Sequence, residues 1–367
     1  MKGSGGSVTA YNDGFSQASE MLRLHLNENP FGPPRSAMRA ARELLENDLC
    51  VYPDSENAEL RAKIAGHAGV TPDMVVAGNG VDELVLMTVL AAAGADGRVL
   101  TTRSTFPGYL SAAAVCGAAV REIDSGPRGI DADAVVDAVA RHPSDLLFVC
   151  NPHNPTGTLL GRADIIRIAD AAERTGTLAV FDEAYMDFVA DDGASALGLV
   201  RSGRRAMVLR TFSKAWGLAA VRVGYAIGPA VVAARVRQSR QAVPFSTNRP
   251  GQAAALRALD DPGHLVEVRR RTAHAREVLH AGLAELGLNV VPSVTNFVFV
   301  ELGPHREQAA ALLAADHGIL VRDLAAFGAP GCLRVSVGTP AQCERFCAAL
   351  REVIAVLDGA DAPAGRT

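Results

Sequence analysis

The chain has 367 residues, 49% apolar and 21% charged, with 36 Lys+Arg against 40 Asp+Glu. That length supports two domains and a sizeable core, and a formal charge of −4 lacks the basic excess of a nucleic-acid or anionic-membrane binder. Six cysteines without a CxxC pair exclude a disulfide framework and a zinc site, so a cytoplasmic protein without a metal is expected. The basic residues are unevenly divided into 33 arginines and three lysines, Lys2, Lys63 and Lys214. Where arginine is the default cation, a lysine between two apolar strand-like runs (TFSKAWG) asks for chemistry that arginine cannot do. Lysine can lose its proton and act as an amine nucleophile.

In chain order, residues 1–20 are small and polar and read as a mobile arm, extended here to residue 30. No signal-peptide pattern opens the chain, and the longest apolar run, 84–93, is too short to span a bilayer. Strands are expected at 74–77, 98–102, 119–123, 145–150, 177–182, 206–210 and 221–227. Helical patterns lie between several of them, such as 131–141 with Ala134, Val135, Ala138 and Val139 on one face. Strands apolar throughout and separated by helices indicate an α/β fold, a mainly parallel sheet covered by helices. After residue 245, helices at about 250–260, 262–286, 306–317 and 340–357 alternate with strands at 296–301, 319–322 and 333–337, the pattern of a smaller α+β domain. The turn PFSTNRPG at 244–251 reads as the hinge, giving a large domain over 31–245 and a small one over 246–367. Cys343 and Cys347, four apart on one helix face, read as core residues.

In open parallel sheets, ligands bind beyond the carboxyl ends of the strands. Gly78-Asn79-Gly80 follows the strand at 74–77 and leads into a helix; NPHNPTG (151–157) follows 145–150. Asp182 ends 177–182 ahead of Glu183-Ala184-Tyr185, and Thr211-Phe212-Ser213-Lys214 follows 206–210. Singly, each has an ordinary structural explanation: a tight turn, a Pro-braced loop, a capping acid, a snorkelling lysine. Jointly they gather a phosphate cradle, an amide, a buried acid, a phenol, a hydroxyl and an amine on one sheet edge. Pyridoxal 5′-phosphate needs these groups: an amine for its aldehyde, a helix N-terminus for its phosphate, and a carboxylate for its pyridine nitrogen.

The stretches LNENPFGPP (26–34), VYPD (51–54), GNGVDE (78–83), NPHNPTGT (151–158), FDEAYMDF (181–188), RTFSKAWGLAAVRVGYAIG (210–228), NFVFV (296–300), VRD (321–323) and LRVSVGT (333–339) carry a family resemblance. The chain resembles the histidinol-phosphate aminotransferase branch of the aspartate-aminotransferase-like, fold-type I pyridoxal-phosphate enzymes. The resemblance implies that Lys214 bonds the cofactor aldehyde and shuttles the substrate proton, and that Asp182 pairs with the pyridine N–H. Asn154 and Tyr185 would hydrogen-bond the phenolic oxygen; Gly80, Val81, Asp82, Ser213 and Arg222 would hold the phosphate; and Phe106 would stack on the ring. Tyr52 would reach the cofactor phosphate of a neighbouring subunit, which implies a homodimer. Arg334 and Arg322 are the implied substrate-anion ligands, Asn27 or Asn29 would line the pocket, and Tyr11 would reach the neighbouring site. Two departures stand out: Ala220 where glycine is frequent, in the loop carrying Arg222, and His153 where asparagine is frequent.

The expected reaction is a two-half amino transfer between histidinol phosphate and 2-oxoglutarate. Alternatives on the same scaffold are an aromatic amino-acid or specialised-metabolism aminotransferase, and a lyase or decarboxylase. A lyase would not be converted to the amine form of the cofactor by glutamate.

Overall fold

The computed structural model describes residues 21–126, 128–303 and 306–360; Tyr11 lies outside them. Strands are numbered along the chain: β1 (Leu22–Leu24), β2 (Val75–Gly78), β3 (Arg98–Thr102), β4 (Ala119–Ile123), β5 (Leu146–Cys150) and β6 (Leu178–Asp182). Then follow β7 (Ala206–Thr211), β8 (Gly224–Ile227), β9 (Asn289–Val291), β10 (Phe297–Glu301), β11 (Ile319–Asp323) and β12 (Cys332–Ser336). Among the described residues no helix is long and apolar enough to cross a membrane, and no group of three or more His, Cys, Asp or Glu is arranged to hold a metal.

The larger unit, 28–273 and 292–296, is built on a seven-stranded sheet in the order β2-β8-β7-β6-β5-β3-β4. The neighbours from β7 to β4 pair in parallel, and β8 is antiparallel to both β7 and β2. β5 and β6 are buried at every position, as expected of strands covered on both faces. Helix Ala132–Arg141 shows how one cover forms. The Asp131 carboxylate caps it by accepting from the backbone N–H of Asp133 and Ala134, and Val135 and Val139 are buried. Helix Gly80–Ala92 buries seven side chains or backbone positions, among them Leu84, Val85 and Val89, in a core shared with Phe148, Val180, Leu209 and Ala226.

The smaller unit contains 21–27, 274–291, 297–303 and 306–360 among its described residues. Its sheet runs β1-β11-β12-β10-β9, with β1 parallel to β11 and the other pairs antiparallel. Cys343 and Cys347 are buried in its core, where a Cβ on Gly282 would lie 2.6 Å from Cys347 Sγ.

Three expectations differ from this architecture. Residues 22–24, counted with the arm, form the edge strand β1 because their backbone pairs with Ile319–Val321. The strand expected from 221 begins at Gly224, since 219–221 form a 3-10 turn and Arg222 is left-handed at φ 55°. The large unit extends past 245 to 273, because helix Arg249–Ala258 packs along helix Arg35–Asn47.

Gly224 marks a close approach of two backbones in the large sheet. A Cβ there would lie 2.8 Å from Gly80 C, 3.0 Å from Val81 N and 3.1 Å from Arg210 O, all main-chain atoms. Gly224→Ala is therefore expected to lose about 1–3 kcal/mol of unfolding free energy in urea titration, the usual cost of overpacking. An unchanged midpoint would show that the two backbones can separate freely.

Candidate active site

β6 carries four consecutive apolar side chains to Asp182, which is 3% exposed. Burying a carboxylate is costly unless donors meet it. Here the Tyr109 hydroxyl donates to Oδ2 at 2.6 Å and the Ala184 backbone N–H to Oδ1 at 3.1 Å. Burial nevertheless raises Asp182 to about 6, and the Tyr109 hydrogen bond is the largest opposing influence. Tyr109 is itself fully buried, stacked on Phe148 (4.7 Å between centroids, 6°) and edge-on to Phe106 (5.3 Å, 79°). Gly108 makes room for the Phe106 ring, since a Cβ there would lie 2.2 Å from Cε1.

The adjacent acid has a different fate. Glu183 is fully buried against Arg210, which gives Oε2 two bonds at 2.8 and 3.1 Å, and it also accepts from Ser195 and from the Ala196 backbone N–H. Arg210 reaches Asp187 at 3.3 Å, and Asp187 accepts from Trp216 Nε1 at 3.1 Å. This network ties the ends of β6 and β7 together and fixes the segment that carries Lys214.

At the other end of that segment, Gly80 (φ 77°) opens helix Gly80–Ala92, and a Cβ on it would lie 2.5 Å from Arg222 Nη2. Arg222 donates to Ser213 Oγ (3.2 Å), the Ala219 carbonyl (3.2 Å) and Asp82 Oδ2 (2.8 Å). Gly80, Asp82, Ser213 and Arg222 therefore converge, with Val81 inside the first helical turn. The Arg222–Asp82 pair is exposed enough to be worth about 1 kcal/mol or less. It does not commit the guanidinium against a dianion. Ala220 is exposed within the 3-10 turn and has no positive φ, so the loop presents Arg222 without a glycine there.

Lys214 is half-buried, with Nζ 5.7 Å from the centroid of the Tyr185 ring. Tyr185 and Asn154 are each 5% exposed. The loop carrying Asn154 is braced by its neighbours. Asn151 accepts from Leu160 N at 2.8 Å, and the ring of His153, buried and lowered to about 4 by desolvation, meets Thr156 Oγ1 at 2.8 Å. The polar group at 153 thus serves the loop. Asn29, expected to line a substrate pocket, uses its amide as a brace: Nδ2 donates to the Ala215 carbonyl at 2.8 Å and Oδ1 accepts from Phe31 N at 2.9 Å. Tyr52 stands 77% exposed, its ring 4.8 Å from that of Phe245.

In the smaller unit, Arg334 and Arg322 are direct cross-strand partners on β12 and β11 and are 6% and 9% exposed. Arg334 donates to the His25 carbonyl at 2.7 Å and lies 5.5 Å over the Phe297 ring. Asn27 (φ 55°) is tied to Ser336 by two hydrogen bonds, Asn27 N to Oγ at 2.8 Å and Oγ to Asn27 Oδ1 at 3.1 Å.

The residues of the larger unit fit pyridoxal phosphate. A side-chain-free turn at Gly80 and Gly224, the Ser213 hydroxyl, a guanidinium and a helix N-terminus suit a phosphate. A carboxylate in a dry site suits a protonated ring nitrogen. Tyr109 was not among the expected site residues. Its only sequence signal is its place in STFPGY, three residues after Phe106.

Asp182 also sets a pH dependence. Its folded value of about 6 exceeds the ordinary 3.8, so it favours the fold most when protonated, and that contribution is lost as the pH rises through about 6. Relative to Asp182→Asn, the cofactor-free protein is expected to lose unfolding free energy between about pH 4 and pH 7. A pH-independent difference in denaturant titrations would contradict the desolvation of this carboxyl.

Residues 19–350 match the family model for aminotransferase class I and II. The chain is 36% identical over 338 residues to a histidinol-phosphate aminotransferase of Bacillus velezensis, covering 91% of this chain and 92% of that one. It is likewise 36% identical over 340 residues to the enzyme of that name from Moorella thermoacetica, covering 92% and 86%. The crystal structure of histidinol-phosphate aminotransferase from Sinorhizobium meliloti in complex with pyridoxal-5′-phosphate superposes with a TM-score of 0.84 at 31% identity, over 92% of this chain and 91% of that one. The chain thus belongs to the aminotransferase class I and II family, in its histidinol-phosphate aminotransferase branch, and is a pyridoxal-phosphate-dependent aminotransferase.

Proposed function

We propose that this aminotransferase takes histidinol phosphate as amino donor and 2-oxoglutarate as acceptor, yielding imidazole acetol phosphate and glutamate. The observation that carries the choice is the pair Arg322 and Arg334, directly opposite on adjacent strands and both more than nine-tenths buried. Residues opposite each other share a face, so two guanidinium groups are gathered at one place. A phosphate, with charge near −2 and several acceptor oxygens, suits two planar guanidinium forks better than a single carboxylate does.

When bound, pyridoxal phosphate supplies an aldehyde for amine exchange and a ring that withdraws electrons from the substrate Cα. Asp182 keeps the proton on the ring nitrogen. Lys214 Nζ carries the proton taken from Cα, a role closed to arginine, whose guanidinium stays protonated. Asn154 and Tyr185 hydrogen-bond the phenolic oxygen. Phe106 covers the ring, and Ser213, Arg222 and the Gly80–Asp82 turn hold the phosphate. The protein acts as a cytoplasmic homodimer. Exposed Leu49, Val51, Tyr52 and Phe245 supply apolar surface for a partner, and Tyr52 is the residue offered to the partner's cofactor. The six cysteines are free thiols, in keeping with a reducing compartment.

Lys214→Arg is expected to keep its charge and lose transamination to background in a coupled glutamate assay; measurable turnover would remove the proton-carrier role. The substrate is tested by kcat/KM for histidinol phosphate against phenylalanine, with 2-oxoglutarate as acceptor. Histidinol phosphate should be preferred, and Arg322→Ala should reduce its value by roughly 10- to 100-fold, the worth of a charge-assisted contact, with a smaller loss for phenylalanine. Equal losses would contradict the phosphate reading.

A further inference from the structure

We propose that Tyr109 is a positioning residue for the cofactor ring: its hydroxyl aims Asp182 Oδ2 at the ring nitrogen, while its ring edge sets the plane of Phe106. The inference rests on the reading that Asp182 meets that nitrogen.

Three observations carry it. The hydroxyl–carboxylate contact is short, at 2.6 Å, and wholly withdrawn from water. The phenol ring is held independently of its hydroxyl by stacking on Phe148, so the donor stays in place whether or not Asp182 is charged. The same ring meets Phe106 edge-on at 5.3 Å, so one side chain touches both the acid at the ring's nitrogen and the aromatic over its face.

The other donor to Asp182, the backbone N–H of Ala184, sits on Oδ1. Together the two bonds fix the rotation of the carboxyl group, and each oxygen keeps a further lone pair. The other titratable groups that bear on Asp182 do not substitute for this donor. Glu183 and Asp82 are acids that oppose its ionisation, and Cys150, its register partner on β5, is a thiol pushed up to about 12 by burial. Tyr109 is the side-chain donor for this carboxylate. Burial holds its phenol well above the ordinary value, so the proton remains available to donate.

The experiment measures dissociation constants of pyridoxal phosphate and of its 1-deaza analogue, in which C–H replaces the ring nitrogen, for the full-length chain and for Tyr109→Phe. The wild type should prefer the natural cofactor. Tyr109→Phe should weaken that cofactor roughly 10- to 100-fold, the worth of a hydrogen bond to a charged group, and leave the deaza analogue within about threefold. Equal weakening of both ligands would show that Tyr109 only shapes the cavity and would overturn the proposal. A wild type indifferent to the ring nitrogen would overturn the Asp182 reading itself, and the proposal with it. The variant keeps the Phe148 stack, and a second comparison covers any loss of folding: added to Asp182→Asn, Tyr109→Phe should cause no further loss of affinity. An additive loss in that background would mean that Tyr109 does not act through the carboxylate.

Discussion

A carboxylate withdrawn from water at the end of a central parallel strand is the constraint around which the large unit is arranged. Asp182 follows four apolar residues on β6 and is carried into the interior by them. Its two oxygens are met from different places: the Ala184 N–H two residues on, and the Tyr109 hydroxyl from the helix after β3. Since β3 is two strands away from β6, across β5, the acid ties three parallel strands to one ligand edge. Burial still leaves its ionised form disfavoured. We propose that a protonated pyridine nitrogen supplies the compensating charge, which would link cofactor binding to the electrostatics of the fold.

The neighbouring acid shows what full compensation looks like. Glu183 accepts from Arg210, Ser195 and the Ala196 backbone and joins the ends of β6 and β7. Removing one partner of a buried pair of this kind costs about 3–5 kcal/mol. Two consecutive acids therefore divide the labour: Glu183 has every oxygen engaged and holds structure, while Asp182 keeps lone pairs for a ligand. The arginines divide in the same way. Arg210 is consumed by the fold, whereas Arg222 is held by a weak, exposed pair at the mouth of a turn that has no room for a Cβ.

The central strands are legible because each is a continuous apolar run with helix patterns on both sides, and the strand-end rule puts Gly80, Asp182, Ser213 and Lys214 on one edge from sequence alone. β1 and β9 were not legible. Three residues each (LRL, NVV) carry no period, and their pairing depends on strands far along the chain. The Pro/Gly-rich turn at 244–251 reads as a boundary in sequence, whereas helix Arg249–Ala258 beyond it packs on helix Arg35–Asn47, about two hundred residues earlier. Tyr109 carries no sequence signal of its role because a tyrosine in the first turn of an apolar helix resembles any core aromatic. The bracing of Ala215 by the Asn29 amide depends on a contact 186 residues away, which the LNENP motif does not specify. The adjacency of Arg322 and Arg334 is a matter of strand register, which spacing alone does not specify.

The scarcity of lysine acquires its meaning from this geometry. With 33 arginines in the chain, the amine in TFSK follows β7, the neighbour of the strand that ends on Asp182, and we propose that a group able to release its proton is required there. Everything proposed for this edge depends on Asp182 keeping the cofactor's ring nitrogen protonated. The direct measurement is the nitrogen chemical shift of pyridoxal phosphate labelled with nitrogen-15 in the ring and bound to the full-length protein. A protonated-pyridine shift that persists at about pH 8 in the wild type and is lost in Asp182→Ala is the expected result, because an unpartnered ring nitrogen is far less basic than one facing a buried carboxylate. A wild-type shift characteristic of the unprotonated ring would contradict the account.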